Sequence, residues 1–404
     1  MTELTKPVIS KEKKLAQIAD FLLHFNQYEK PSSLMGGDIG VAIFLAEYAR
    51  FSKNQSYAQK ALELVNNAFD VVENHHIINS YCNGLAGMCW GINHLFSQNL
   101  LEGDSNEILD EASVDKVIAM RMLYQLRKKE YDYMHAGTGP MLYFLERLTV
   151  KNSKAILENA VQILDSIAVK ENGHTKWRHD PEYKLKEIQP RRCLYNLGLS
   201  HGIPSIIAIL SKTYEAGIEK ERCASLIEGA VEWVLSTKLG EGYASMYETG
   251  IYEDGVKGSS RLGWCYGDLG VALPLWHAAK AMNRSDWREE SLLAFRHAAG
   301  RQNQVGNGVR DAGLCHGSAG ISHIFYKMYL QTQEQAFIDA SDYWLDRTLQ
   351  FDTFEDGYCG YKSARLEDFE STYNLIEGVA GIGATILSRL SQASSSWDKM
   401  FLIS

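Results

Sequence analysis

The chain has 404 residues, 45% of them hydrophobic and 23% charged, the composition of a folded globular protein long enough for a large core. Its net charge of −9 argues against nucleic acid or an anionic membrane surface as partner. No run of about 18 apolar residues is present, and the opening MTELTKPVISKEKKLAQ lacks an apolar signal core, so no membrane-spanning helix and a cytosolic location are expected.

In chain order, a short glycine-framed turn precedes an apolar run seven times. GDIG (37–40) leads into VAIFLAEYA, and the next segment, SYAQKALELVNNAFDVV, spaces its apolar residues by three and four, as an amphipathic helix does. GLAG (84–87) leads into MCWGINHLF, and AGTG (136–139) into PMLYFLERL, followed by the amphipathic SKAILENAVQILDSIAV. GIPS (202–205) leads into IIAILSKTY, then the amphipathic CASLIEGAVEWVLSTKL. GDLG (267–270), GSAG (317–320) and GVAG (378–381) lead into VALPLWHAA, ISHIFYKMY and IGATILSRL, with QAFIDASDYWLDRTLQF amphipathic between the last two. Runs apolar on every side are buried inner helices, and the amphipathic segments are outer ones. A repeat of this kind predicts an all-α fold, an α/α toroid of seven inner and seven outer helices forming one domain over 1–404. The turns are expected to meet at one end of the inner ring, where glycine permits positive φ and close backbone approach. The polar segments 170–200 and 243–262 are candidate substrate-contacting loops.

Aligned on the first turn residue, the position two earlier holds Met35, Cys82, Met134, Ser200, Cys265, Cys315 and Ile376. The position one earlier holds Gly36, Asn83, His135, His201, Tyr266, His316 and Glu377. Cys265, Cys315 and His316 come from adjacent repeats. Two thiolates and an imidazole are three zinc ligands with a fourth tetrahedral position open, the catalytic pattern. Both cysteines precede helix starts, where backbone N–H groups favour the thiolate. Taken alone the spacing is equally that of buried cysteines filling turns. The seven cysteines are scattered, unlike a disulfide framework. Cys82, in the same position across the ring, is read as structural. His201 is a candidate acid–base group or a hydrogen-bonded turn histidine. Arg261 is a candidate for steadying negative charge or a surface residue. Trp264 is expected to pack. Asp132 is a candidate acid or orienting group, and His135 reaches the cavity or caps its turn.

RLGWCYGDLG, GLCHGSAG and LSHGIPS resemble the LanC family, the lanthionine synthetase cyclases of lantibiotic biosynthesis, and the likeness runs through all seven turns. It implies one zinc ion on Cys265, Cys315 and His316, His201 as the catalytic histidine, and Arg261, Tyr266 and Asp132 as further site residues. The chain departs from the family at Ser205, where glycine is usual, at Ala136, and at His135, where an acid is more familiar. The WCYG form resembles bacterial stand-alone cyclases; eukaryotic relatives more often have histidine at the Tyr266 position. The implied reaction adds a peptide cysteine thiol to dehydroalanine or dehydrobutyrine in the same dehydrated precursor peptide, making a lanthionine or methyllanthionine ring. The implied partners are that peptide and a complex with a dehydratase and an exporter at the inner face of the membrane. Two other readings compete: addition of glutathione or another small thiol to a dehydrated chain, and a non-catalytic zinc-holding scaffold. A toroidal glycosidase would need paired carboxylates; Asp132 and Glu377 could supply them, leaving the cysteines idle.

Overall fold

A computed structural model describes residues 9–26, 33–74, 78–109, 111–179, 191–391 and 396–404. The inner helices are α2 (Asp38–Ser52), α4 (Leu85–Ser97), α7 (Gly139–Leu145), α9 (Ile203–Glu215), α11 (Asp268–Ala281), α13 (Ser318–Thr332) and α15 (Val379–Ser391). The outer ones are α1 (Lys11–His24), α3 (Gln55–Asn74), α6 (Lys116–Arg127), α8 (Ser153–Ile167), α10 (Lys220–Ser236), α12 (Ser285–Ala299) and α14 (Gln335–Gln350), with a single turn, α5 (Ser105–Ile108), before α6. Burial separates the two layers as the sequence pattern demands. Every residue of α4 from Leu85 to Phe96 is buried. In α8 burial follows a stripe, Leu157, Ala160, Val161 and Leu164, one face of a helix. The architecture is an α/α toroid. The first outer helix, α1, packs on the last inner one, α15, and α15 packs on α2, so the two ends of the chain close the circle.

A ring of backbone hydrogen bonds runs through the repeat. The N–H of Met35 donates to the carbonyl of Cys82, Cys82 to Met134, Met134 to Ser200, Ser200 to Cys265, Cys265 to Cys315, Cys315 to Ile376, and Ile376 back to Met35, at 2.8 to 3.4 Å. These are the seven residues two before each turn. An irregular turn would otherwise bury unpaired amides at the crowded centre. Here each repeat satisfies its neighbour, so the position that carries Cys265 and Cys315 is locked in register around the circle.

The glycine frames are helix starts rather than separate turns. Gly37, Gly84, Gly202, Gly267 and Gly317 are N-cap residues, and the helix begins at the next residue. In the third repeat Thr138 caps instead, and α7, which ends at Leu145, is the shortest of these inner helices. Close approach, more than positive φ, explains the last glycine of the frame. A Cβ on Gly87 or Gly320 would lie 1.7 or 1.8 Å from the carbonyl oxygen of Tyr81 or Leu314. Among the caps only Gly267 has positive φ, at 88°.

Among the described residues, three two-stranded antiparallel ladders decorate the helices. β1 (Val169–Glu171) pairs with β2 (His174–Lys176), and β5 (Ser363–Ala364) with β6 (Phe369–Glu370). β3 (Cys193–Asn196) pairs with β4 (Gly250–Tyr252), so the two long insertions expected to contact substrate meet in one ladder; 180–190 of the first lies outside the described residues. The C-terminal residues from Trp397 enter the ring. Trp264 Nε1 donates to the carbonyl of Phe401 at 2.6 Å, Tyr133 Oη to that of Met400 at 2.7 Å, and Lys212 Nζ to that of Ser404 at 2.7 Å. Trp264 is fully buried against this tail, as expected of a packing residue.

Candidate active site

Cys265 and Cys315 sit side by side because both Trp264 and Cys265 donate their N–H groups to the Cys315 carbonyl, at 3.0 and 3.2 Å. The next residue, His316, completes a group whose ligand atoms all lie within 4.8 Å of one another. The Cys315 thiol hydrogen-bonds the Cys265 sulfur, and with His316 and the Arg261 charge it overcomes burial and holds Cys265 well below the usual thiol range. That same hydrogen bond, and burial, push Cys315 up. Burial alone would depress His316, but its hydrogen bond to Cys265 and the nearby negative charges raise it. The group thus gathers soft donors and negative charge at one point, the donor set that suits a zinc-type cation.

Beside it opens a cavity of about 1360 Å³ whose lining includes Asp132, His135, His201, Arg261 and Tyr266. His201 Nδ1 lies 2.7 Å from Asp132 Oδ2. The other Asp132 oxygen accepts the His135 N–H at 2.9 Å. Ser80 and Asn374 do the same for their own turns, accepting N–H groups three residues on. Asp132 therefore combines a turn-capping task shared across repeats with one that is its own. Burial pushes its carboxyl up, but the hydrogen bond and charge of His201, with His135, leave it below the ordinary carboxylate value. Burial depresses His201 too, and the hydrogen bond and charge of Asp132 reverse this, so its pKa is raised. With Nδ1 held by the carboxylate, Nε2 is the nitrogen left for the cavity. The His201 ring stacks on His135 at 5.5 Å between centroids and lies 6.2 Å from the Tyr266 ring. Burial depresses His135. The Tyr266 hydroxyl accepts a hydrogen bond from Asn196 Nδ2 at 3.2 Å, and burial raises its pKa, which keeps it protonated.

Arg261 is exposed on the cavity wall, and its backbone is clamped on both sides. Buried Arg301 donates to the Ser260 carbonyl at 2.8 Å and to Asn307 Oδ1 at 2.9 Å, and the Leu262 N–H donates to the Asn307 carbonyl at 3.0 Å. Asp268, wholly buried at the start of α11, accepts from Arg301 at 3.1 Å and from the Met246 and Tyr247 amides.

Two residues of the site go unnoticed in the sequence reading. Asp311 accepts the Gly313 N–H at 2.9 Å and sets an oxygen 4.0 Å from His316 Nε2; Asn196 accepts the Gly198 N–H at 2.7 Å and holds Tyr266. The signal that could have found them is an Asx residue two before a glycine, in DAG and NLG, which marks an Asx turn. Cys82 is buried outside the Cys265–Cys315–His316 group. Glu377 accepts from Arg365 at 2.7 Å and is not in the lining of the cavity that holds Asp132, so those carboxylates do not make a glycosidase pair.

A family model described as lanthionine synthetase C-like protein matches residues 28–402. Among solved structures, nisin cyclase superposes with a TM-score of 0.76 at 19% identity, covering 97% of this chain and 96% of that one. Cellobiose 2-epimerase from Bacillus thermoamylovorans B4167 matches at TM-score 0.45 and 12% identity over 95% of this chain and 98% of its own. A sugar epimerase from a ruminal bacterium matches at 0.46 and 10% over 96% and 99%.

Proposed function

The chain belongs to the lanthionine synthetase C-like family, and from that premise we propose that it is a zinc-dependent cyclase that closes thioether rings in a dehydrated precursor peptide. The observation that carries the reading is one cavity lined by Asp132, His201, Arg261 and Tyr266 beside the Cys265–Cys315–His316 donors. Its volume, about 1360 Å³, exceeds that of ordinary small-molecule pockets and suits a peptide.

Cys265, Cys315 and His316 would hold the zinc ion, which supplies a lowered pKa for a substrate thiol that binds it. The sulfur–carbon bond forms at the β-carbon of dehydroalanine or dehydrobutyrine, the C=C electron pair moves toward the carbonyl, and the α-carbon takes a proton; no oxidant or reductant is needed. The Arg261 guanidinium, on the wall of that cavity, steadies the charge that builds on the carbonyl oxygen. His201 presents Nε2 as proton donor to the α-carbon, or takes the thiol proton earlier, with Asp132 fixing its tautomer and favouring the charged ring. Tyr266, kept protonated, is a second hydrogen-bond donor in reach of the cavity. The same reading puts the protein in the cytosol as one domain, downstream of a dehydratase and upstream of an exporter. Among the described residues no helix is long and apolar enough to cross a membrane.

The test is a synthetic peptide with one cysteine and one dehydroalanine, followed by mass spectrometry after thiol alkylation against an enzyme-free control. Cyclisation conserves mass, so it appears as cysteine that no longer alkylates. Metal analysis should find one zinc per chain, lost in Cys265→Ala/Cys315→Ala. An enzyme that joins glutathione to the peptide but closes no ring is the small-thiol transferase instead, and full zinc in the double variant means the ligands lie elsewhere.

A further inference from the structure

Aligned on the turns, the position three before each holds Leu34, Tyr81, Tyr133, Leu199, Trp264, Leu314 and Leu375. All are buried. Leucine suffices in four repeats, and a polar atom at the same depth needs a partner to offset its lost water. For Tyr133 and Trp264 the partner is the C-terminal tail. Trp397–Phe401 forms a short 3₁₀ helix that ends at Leu402, whose φ of 54° is left-handed. The carbonyls of Asp398 and Lys399 accept the amides of Ile403 and Leu402. The carbonyls that follow are those a helix end leaves without amide partners, and side chains of the ring supply the donors. Met400 accepts from Tyr133 Oη at 2.7 Å, Phe401 from Trp264 Nε1 at 2.6 Å, Leu402 from His277 Nε2 at 3.0 Å and Ser404 from Lys212 Nζ at 2.7 Å. Asp398 is gripped twice, by His323 at 2.8 Å and by Lys327 at 3.1 Å, so its seat does not depend on one of them.

Trp397 fastens the tail to Ser388 on α15. From Asp398 on, the bonds named above run to the third, fourth, fifth and sixth repeats, which carry Asp132, His201, Cys265 and the Cys315–His316 pair. Two of the donors adjoin site residues in the chain: Tyr133 follows Asp132, and Trp264 precedes Cys265. Both stretches are tied on the other side as well. The Trp264 N–H donates to the Cys315 carbonyl at 3.0 Å, and the N–H of Met134, next to Tyr133, donates to the carbonyl of Ser200, next to His201, at 3.3 Å. The backbone ring bonds each repeat to its neighbours; the tail bonds four of them to one segment inside the ring. Resting on the cyclase reading of the cavity, we propose that Tyr133 and Trp264 are positioning residues: through their side chains the C-terminal tail fixes Asp132 against His201, and Cys265 against Cys315 and His316. Site residues drawn from four repeats have no local stretch of chain to set their spacing, and a misplacement of about 1 Å can cost about 10²-fold in rate.

Two substitutions each delete one donor and keep a buried ring: Tyr133→Phe and Trp264→Phe. Tyr143→Phe is the control, since its buried hydroxyl on α7 bonds Asp115 and not the tail. In protein carrying nitrogen-labelled histidine, the His201 Nδ1–H signal is the one missing from His201→Asn. Its exchange with water follows local opening, and should be at least about fivefold faster in Tyr133→Phe. Trp264→Phe should surrender zinc to a chelator about tenfold faster, the usual scale for a residue that supports a metal ligand, while Tyr133→Phe holds zinc as the wild-type protein does. Ring closure by Tyr133→Phe should show kcat lowered about tenfold with KM nearly unchanged. Tyr143→Phe should melt earlier and leave exchange, zinc and rate at wild-type values. Exchange unmoved by Tyr133→Phe, zinc held as firmly by Trp264→Phe as by the wild-type protein, or equal shifts in Tyr143→Phe overturn the proposal and leave the tail a packing element. Should Trp264→Phe fail to fold, Tyr133→Phe, which removes a single oxygen, decides alone. Exchange and zinc loss need no reaction, so the two claims separate. Rings with both readouts unmoved keep the cyclase and end the positioning role; both readouts moved, with no rings formed by the wild-type protein, uphold positioning and end the cyclase reading.

Discussion

Two of the aspartate–histidine pairs among the described residues have nearly the same length. Asp132 and His201 meet at 2.7 Å on the wall of the large cavity, and Asp398 and His323 meet at 2.8 Å where the C-terminal tail enters the ring. About a quarter of each side chain is exposed in the first pair, and essentially none in the second. His201 turns its second nitrogen to the cavity. His323 buries its second nitrogen, Nδ1, without a hydrogen-bond partner among the described residues, and its ring lies 4.7 Å from that of Trp397. Burial is the largest influence on both rings. In His201 the carboxylate outweighs it and the pKa rises; in His323 burial, with Lys327 sharing the carboxylate at 3.1 Å, outweighs the carboxylate and the pKa falls. A histidine–carboxylate contact therefore does not by itself make an acid–base group. Access for the other nitrogen and a partner charge not shared with a lysine decide it.

The largest effect that could break this contrast is on rate. His201→Asn should slow ring closure by about 10²- to 10⁴-fold, the usual contribution of a positioned acid–base group, with zinc content and melting temperature little changed. His323→Asn should do the reverse, keeping the rate while the protein melts earlier. If His201→Asn cyclises at the wild-type rate, the cavity pair has no catalytic part; if it loses zinc, His201 belongs among the metal ligands and the site is a closed one.

A second effect is on stability. Asp398→Asn strips the buried partner from both His323 and Lys327, and breaking a buried pair from one side costs about 3–5 kcal/mol. Asp132→Asn removes a partner from a ring that water can reach, so its thermodynamic cost should be the smaller while its cost in rate is the larger. Chemical denaturation of the two variants, with ring-closure rates measured on the same preparations, checks this; equal destabilisation would erase the distinction drawn from exposure.

The fold was legible because its physics repeats. Seven glycine frames, each followed by a run apolar on all sides, leave few arrangements other than a ring, and the backbone circle from Met35 to Ile376 passes through the residues that the frame aligns. The adjacency of Cys265 and Cys315 followed from the same alignment. What the sequence hid is where repeats are not used alike. Asp132 occupies a turn-capping position that Ser80 and Asn374 fill with neutral side chains, and only the folded ring brings its second oxygen to His201, 69 residues away in sequence. The clamp of Arg301 on Ser260 and Asn307 joins a loop to the end of α12, with no local pattern to announce it. The burial of the C-terminal tail has no local sequence pattern either; it depends on carbonyls meeting Trp264, Tyr133 and Lys212 from distant repeats.

The smallest effect sharpens the comparison through pH. A histidine has an ordinary pKa of about 6.5 in the unfolded chain. His201 is raised in the fold, so its pair contributes fully below about pH 6.5 and that contribution is lost as pH rises through the folded value. His323 is lowered, so the fold prefers it neutral: its penalty is absent above about pH 6.5 and grows as pH falls toward the folded value. Both aspartates are depressed, so their contributions are held at neutral pH and lost only as acid reaches them. Wild-type stability should therefore decline on both sides of neutrality for different reasons. His201→Asn should flatten part of the alkaline decline and leave the decline near pH 6 that His323 sets. His323→Asn should flatten part of the acid decline near pH 6 and leave the alkaline one. Each change should amount to about 1 kcal/mol or less, since one pKa unit is worth 1.36 kcal/mol and His201 is partly solvated. Melting curves across the pH range, referenced to the wild-type protein at each pH, resolve it. If both variants flatten the same limb, the two histidines share one protonation preference, and the distinction between a working pair and a buried one does not lie in their charge.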